Sequence, residues 1–200
     1  MMKPQIYLAS ASPRRWQLLE QLGLELFPLN SEIDETPLPN EDAKSYCLRL
    51  AVAKNQQAQG VRSSQQSAKL PILTADTTVS IDGLILGKPE NELHAYQMLK
   101  QLSGRTHQVF TAVCVSWEQQ QLACVQTSEV TFKPLSDEEI WAYIATQEPM
   151  DKAGAYGIQG IGGTFVRHLS GSFTGVMGLP LYETADLLTQ IGIELLVPTA

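Results

Sequence analysis

Apolar and polar positions alternate along this chain in short blocks, and their period switches repeatedly between that of a strand and that of a helix. Ile6-Tyr7-Leu8-Ala9 is an apolar run that predicts a short, fully buried strand. Directly after it, Ser12-Pro13 has the form of an N-cap followed by proline in the first helical turn. Trp16, Leu19 and Leu22 then lay an apolar stripe that Gly23 ends. Leu24 to Leu29 predicts a second strand, and Ser31 to Asn40 an acidic, proline-containing loop. Over 41–58, Cys47, Leu50 and Lys54 recur three and four apart and so share one face of a helix. The Ser- and Gln-rich stretch Gly60 to Lys69 predicts a mobile surface loop.

Pro71 to Ala75 opens a buried strand that ends at Asp76, with Thr77 to Ile81 continuing toward Asp82-Gly83, a hairpin-turn signal, and Leu84 to Leu86 returning. Leu93, Tyr96, Leu99 and Leu102 mark a helix from about Glu92, closed by Ser103-Gly104. Two strands follow, His107 to Val115 and Leu122 to Phe132, joined by the polar turn Glu118 to Gln121. Ser136 with Glu139 forms a capping-box pattern that opens a helix through Ala145. A glycine-dense segment, Gly154 to Gly163, leads into Thr164-Phe165-Val166 and a turn at Ser170 to Ser172. Pro180 starts a last helix through Leu188, and Gly192 closes it before a final strand, Ile193 to Val197. Strands interleaved with helices, several of the strands in hairpins, predict an α/β fold: a mixed β-sheet with packed helices.

Composition narrows the function classes. The chain has 200 residues, 44% of them apolar, enough for one globular domain or two closely packed lobes. Fourteen basic residues stand against 21 acidic ones, a net charge of -7, so no global field draws it to a nucleic-acid backbone. Cys47, Cys114 and Cys124 are odd in number and follow no ligand spacing, which argues against a disulfide scaffold or a structural zinc site. The first ten residues hold too little apolar sequence for a signal peptide or a membrane span. A soluble cytoplasmic protein is the expectation.

Local charge changes the picture. Arg14 and Arg15 fall in the first turn of their helix, where the macrodipole disfavours cations by about 0.3 to 1 kcal/mol. Two of them there make sense beside an anion, and with the hydroxyls of Ser10 and Ser12 the run Ser10 to Arg15 forms a phosphate cradle; the alternative is two solvated surface arginines. Asp76 is an acid on the most apolar strand, Glu35 lies in the acidic loop, and Lys88 sits between Gly87 and Pro89 in a constrained turn. A triphosphate needs Arg and Lys for its oxygens and carboxylates to hold a metal and orient water, and this set supplies both. No G-x-x-x-x-G-K-[ST] loop and no G-x-S-x-G elbow occurs. In Asp151 to Gly160, glycines allow close approach to a flat ligand, and Gln159 offers both donor and acceptor to a base edge.

LASASPRR at 8–15, SEIDE at 31–35, LAVAK at 50–54, ADTTV at 75–79, LGKP at 86–89, LSGRTHQVFTAV at 102–113, DKAGAYGIQG at 151–160 and GLP at 178–180 occur in this order. Together they resemble the Maf family of nucleoside triphosphate pyrophosphatases. The resemblance implies an inosine-triphosphatase-like fold, two lobes around a central cleft, spanning 1–200 as a single domain. It implies that Asp76 is the proton acceptor and Glu35 a second acid, the two holding Mg2+, Mn2+ or Co2+. Ser10, Arg15, Lys54 and Lys88 would bind phosphates. Arg14, Thr77 and Gln159 would set specificity, and their identities point to the branch acting on dTTP and UTP. A cytoplasmic homodimer is implied as well. A different phosphoryl hydrolase or transferase, and a nucleotide-sensing module without turnover, are the competing readings of the same residues.

Overall fold

The computed structural model describes residues 3–65 and 67–195. Its strands are β1 (Gln5–Leu8), β2 (Glu25–Pro28), β3 (Ile72–Ile81), β4 (Leu84–Leu86), β5 (Thr106–Trp117), β6 (Gln120–Phe132) and β7 (Val166–Ser170). Its helices are α1 (Pro13–Gln21), α2 (Ala43–Ser64), α3 (Glu92–Leu102), α4 (Asp137–Ala145), α5 (Phe173–Met177) and α6 (Leu181–Gln190). One mixed sheet runs β2-β1-β3-β5-β6-β7, with β4 paired to β3. β1 is parallel to β2 and β3, and every other pairing is antiparallel. This is the mixed α/β sheet with packed helices that the sequence predicts.

The long strands carry two main apolar cores. Near one end, Ile6, Leu8, Leu18, Leu19, Leu73 and Val113 pack together with Leu187 and Leu188. Near the other, Val79, Leu99, Leu102, Val109, Phe132, Tyr143 and Phe165 do. Burying each such side chain contributes about 1.5 to 3 kcal/mol, so the lobes are held by β3, β5 and β6 running through both.

Several elements differ from the expectation. The stretch from Gly60 continues α2 to Ser64 before the chain leaves the helix, because Arg62 anchors the end by donating to the Leu70 carbonyl at 2.8 Å. Asp76 does not end a strand but sits mid-way along β3. Ser12 occupies the N-cap of α1 without a capping side-chain bond; its N–H instead donates to Ser10 Oγ at 3.2 Å. The predicted capping box of α4 is present on both sides. The glycine-dense segment is flanked and entered by two short 3-10 turns, Ala153–Ala155 and Ile161–Phe165, with a third, Glu148–Asp151, before it, and α5 lies where no helix was predicted. Ile193 to Leu195 is not a strand, and the rest of that predicted element lies outside the described residues.

His107 shows how tightly the second core is closed. It is 2% exposed, its Nε2 lies 2.8 Å from the Tyr156 hydroxyl, and its ring meets Phe132 edge-on at 5.0 Å. Nδ1 has no partner among the described residues. Burial pulls its pKa down from 6.5 to about 4, so the unfolded chain binds a proton in a range where the folded one does not. The neutral ring's contribution is present in full above pH 6.5 and is lost as pH falls toward 4, by about 3 kcal/mol at most. Urea unfolding between pH 7 and 4.5 should therefore show a steeper loss of stability than the His107→Gln variant does.

Candidate active site

β1 accompanies β3 only through Tyr7↔Ile72 and Leu8↔Leu73. Beyond Ala9 the chain leaves the sheet to form the Ser10–Ser12 turn and α1. β4 does not join β3 until Val79. Between these contacts, residues 74–78 have a strand neighbour on the β5 side alone. From β1, one crossover leads through α1 to β2 and the next element of the sheet, β3, lies on its other side, so the carboxyl end of β1 is a topological switch point, where α/β sheets open a crevice. A cleft of 870 Å³ opens there, lined among others by Ser10, Arg14, Arg15, Glu35, Lys54, Asp76, Thr77 and Lys88.

Strand alternation splits this singly paired stretch between two faces. Thr74, Asp76 and Thr78 turn toward α2. Asp76 is 6% exposed and has two fixed partners: Lys54 Nζ donates to Oδ1 at 2.8 Å, and Thr78 Oγ1 donates to Oδ2 at 3.1 Å. The same Lys54 ammonium lies 2.7 Å from Glu35 Oε1. One cation thus bridges a buried acid of the sheet and a half-exposed acid of the loop. Burial by itself would lower the Lys54 pKa, but Asp76 and Glu35 outweigh it and hold the ammonium above its ordinary value.

Thr77 turns to the opposite face, toward α1. Arg15 is clamped there by three donors: Nε to the Gly178 carbonyl at 2.8 Å, Nη1 to Ser10 Oγ at 3.1 Å, and Nη2 to Thr77 Oγ1 at 3.1 Å. A guanidinium has five N–H groups, so two remain for a ligand. Burial pulls its pKa below the ordinary value, and the group stays protonated regardless. Gly178 closes α5 in the left-handed region at φ 117, where a side chain would be strained, and so its carbonyl is delivered to Arg15.

Arg14 and Lys88 also line the cleft, and neither forms an ion pair among the described residues. Lys88 is exposed, and its turn is tied across the cleft by the Gly154 N–H, which donates to the Gly87 carbonyl at 3.1 Å. Gly154 needs to be glycine: its φ is 70, and a Cβ would stand 2.9 Å from Val79 Cγ1. Gln159 is different. It is exposed and absent from the cleft wall, although Lys152, Ala153 and Tyr156 of the same segment reach that wall.

The fold therefore brings eight of the nine residues singled out in the sequence to one cleft and leaves Gln159 outside its wall. Sequence reasoning missed Thr78, Tyr46, Asp151 and Lys152 as wall residues. Two had a signal: Thr78 is two along a strand from Asp76, and Tyr46, Leu50 and Lys54 follow one another at intervals of four on one helical stripe.

Glu35 and Asp76 also decide how the site suits a metal. Their oxygens already converge on one cation, the Lys54 ammonium. Among the described residues no group of three or more His, Cys, Asp or Glu could hold an ion. Two hard oxygens without a complete protein cage fit a Mg2+-type ion whose remaining ligands are phosphate oxygens and water.

The structure is thus a two-lobed α/β protein whose cleft sets arginines and lysines against a carboxylate pair. The sequence profile of the Maf-like protein family matches residues 5–191, and the chain belongs to that family. It is 65% identical over 195 residues, covering 98% of this chain and 99% of the other, to a Haemophilus ducreyi protein named nucleoside triphosphate pyrophosphatase. It is 57% identical to a Pasteurella multocida protein named dTTP/UTP pyrophosphatase, covering 96% and 98%. It is 54% identical to a Chromobacterium violaceum protein of the same name, covering 95% and 96%.

Removing the bridging ammonium leaves a buried carboxylate without compensation, which costs roughly 3 kcal/mol at the lower end of such deletions because the Glu35 side is wet. Lys54→Met should lower the urea unfolding free energy by about that amount. A loss below about 0.5 kcal/mol would show that Asp76 does not depend on it.

Proposed function

We propose that this chain hydrolyses dTTP and UTP between the α and β phosphates, releasing pyrophosphate and the nucleoside monophosphate. The observation that supports this best is the cation position shared by Glu35 and Asp76, in a cleft that Arg14, Arg15 and Lys88 also line. The printed names of the three relatives support the substrate class.

In this reading Asp76 accepts the proton of the attacking water. Its carboxylate is suited to that role because Thr78 and Lys54 fix both oxygens before a substrate arrives, so little reorganisation accompanies attack. Arg15, with three donors anchored and two left, presents a rigid grip to phosphate oxygens, joined by Ser10 and Lys88. Lys54 serves twice, compensating the acids in the free protein and meeting substrate phosphate in the complex. Glu35 and Asp76 hold the divalent cation, Mg2+, Mn2+ or Co2+, which when bound stabilises the negative charge that develops on the phosphate oxygens. Pyrophosphate then leaves with its charge met by the basic side chains.

Selectivity falls to Arg14, Thr77 and Gln159. Thr77 acts through Arg15, whose Nη2 it holds. Gln159, on the segment whose Lys152, Ala153 and Tyr156 line the cleft, is a neutral amide with no charge preference for a cationic base. As the family resemblance implies, the protein works on free nucleotides in the cytoplasm, as a homodimer. A net charge of -7 supports the exclusion of a nucleic-acid polymer as partner. No helix among the described residues is long and apolar enough to cross a membrane.

A nucleotide-panel assay with product identification in Mg2+ or Mn2+ tests the activity: pyrophosphate should appear with dTTP and UTP, and orthophosphate as the first product would refute the cleavage position. Asp76→Asn should lower kcat by about 10² to 10⁴; a folded variant with normal turnover would remove Asp76 from the chemistry. Gln159→Glu should move relative kcat/KM away from dTTP and UTP, and an unchanged ranking would exclude Gln159 from selection.

A further inference from the structure

Glu35 stands in residues 29–42, a stretch without helix or strand between β2 and α2. Its side chain is 53% exposed and has Lys54 as its ion-pair partner. An exposed ion pair is too weak to order so long a segment by itself. Something else must hold this acid at the cleft.

The structure assigns that task to three side chains that no part of the phosphate chemistry uses: we propose that Tyr46, Arg49 and Glu41 are positioning residues for Glu35. The Tyr46 hydroxyl donates to the main-chain carbonyl of Glu35 itself at 2.8 Å. Arg49 Nη2 donates to the carbonyl of the next residue, Thr36, at 3.2 Å. Glu41 grips Arg49 with both oxygens, at 2.6 and 2.7 Å, and also accepts the Leu38 N–H at 3.0 Å. The Arg49 guanidinium lies over the Tyr46 ring at 5.5 Å, which braces both donors against one another. Burial, with the charges of Asp76 and Glu35, pushes the Tyr46 pKa up to about 12, so the phenol remains a donor throughout the working range.

Tyr46 and Arg49 lie on the same helix as Lys54. α2 therefore presents the bridging ammonium and the two donors that fix the loop as one rigid unit, with Glu35 and Asp76 brought to a common point before any ligand binds. A site whose parts are ordered in advance loses less free energy when it closes on substrate. The proposal rests on Glu35 being an acid of the reaction.

Two variants test it. Tyr46→Phe removes only the hydroxyl. Arg49→Lys keeps the charge but cannot hold Glu41 and Thr36 together. In the nucleotide-free protein, amide exchange of peptides covering 31–38 should rise about fivefold or more in each variant, with exchange elsewhere and the urea midpoint close to the parent. With dTTP, Tyr46→Phe should lower kcat/KM about fivefold to tenfold, and in a Glu35→Gln background by less than twofold, because the acid it positions is gone. Unchanged exchange over 31–38, or an equal loss of kcat/KM in both backgrounds, would overturn the proposal. If Glu35→Gln itself turned over normally, the reading of Glu35 as a reacting acid would fail, while the exchange result would still decide whether the clasp holds the loop.

Discussion

Asp76 is a carboxylate placed on the inner run of β3, between the fully buried Ala75 and the half-buried Thr77, and the ammonium of Lys54 is what makes that position tolerable. An uncompensated charge at such depth is expensive by several kcal/mol. Because the compensation comes from a side chain on α2, the helix must lie close against β3, and the register of the two is fixed by neighbouring contacts. Asn55 donates to the carbonyls of Ile72 and Cys114 at 3.1 and 3.2 Å, and Thr74 to the Ala51 carbonyl at 2.7 Å. These polar ties cross an otherwise apolar interface of Cys47, Ala51, Phe110 and Ala112, with the acid beside it.

The opening itself comes from a shortage of pairing. β1 is only four residues long, and after its last contact with β3 the chain turns into α1 and carries Ser10 and Arg15 over the edge it has left. A longer β1 would have closed the ladder along the edge of β3 beside Asp76. The same short strand thus both leaves that edge unpaired and delivers the arginine, and the left-handed Gly178 supplies the carbonyl that sets the arginine's direction. Stability is given up at the strand edge and function gained there, a common arrangement in α/β proteins.

Positive charge in the cleft is of two kinds. Arg15 and Lys54 are locked by neighbours on opposite faces of β3, whereas Arg14 and Lys88 approach from α1 and the β4 return without ion-pair partners among the described residues. Groups locked in this way are preorganised to meet an anion without reorganising. The glycine segment is likewise divided. Glu148 collects the Tyr143 hydroxyl and the Ile161 and Gly162 N–H groups at 2.9, 3.1 and 3.0 Å, fixing the base of the loop whose tip bears Gln159.

Much of the architecture was legible in the sequence, since period and capping are local properties: the hairpin at Asp82-Gly83, the capping box at Ser136, and the shared face of Cys47, Leu50 and Lys54 follow from spacing alone. The acid and basic residues of the cleft were legible too, through their types and their order along the chain. Three-dimensional contact decided the rest. Only pairing partners reveal that Asp76 is mid-strand yet has no strand on its β1 side, because a strand's edge depends on where its neighbour stops. Likewise α2 runs past Gly60 because Arg62 finds the Leu70 carbonyl, and Tyr46 and Arg49 become supports of Glu35 only once the loop folds back on the helix. The sequence by itself determined most of the regular elements and which charges are available. The tertiary structure determined which of those charges share a cation and which line the cleft without an ion-pair partner among the described residues, because hydrogen bonds between residues far apart in the chain have no local period to betray them.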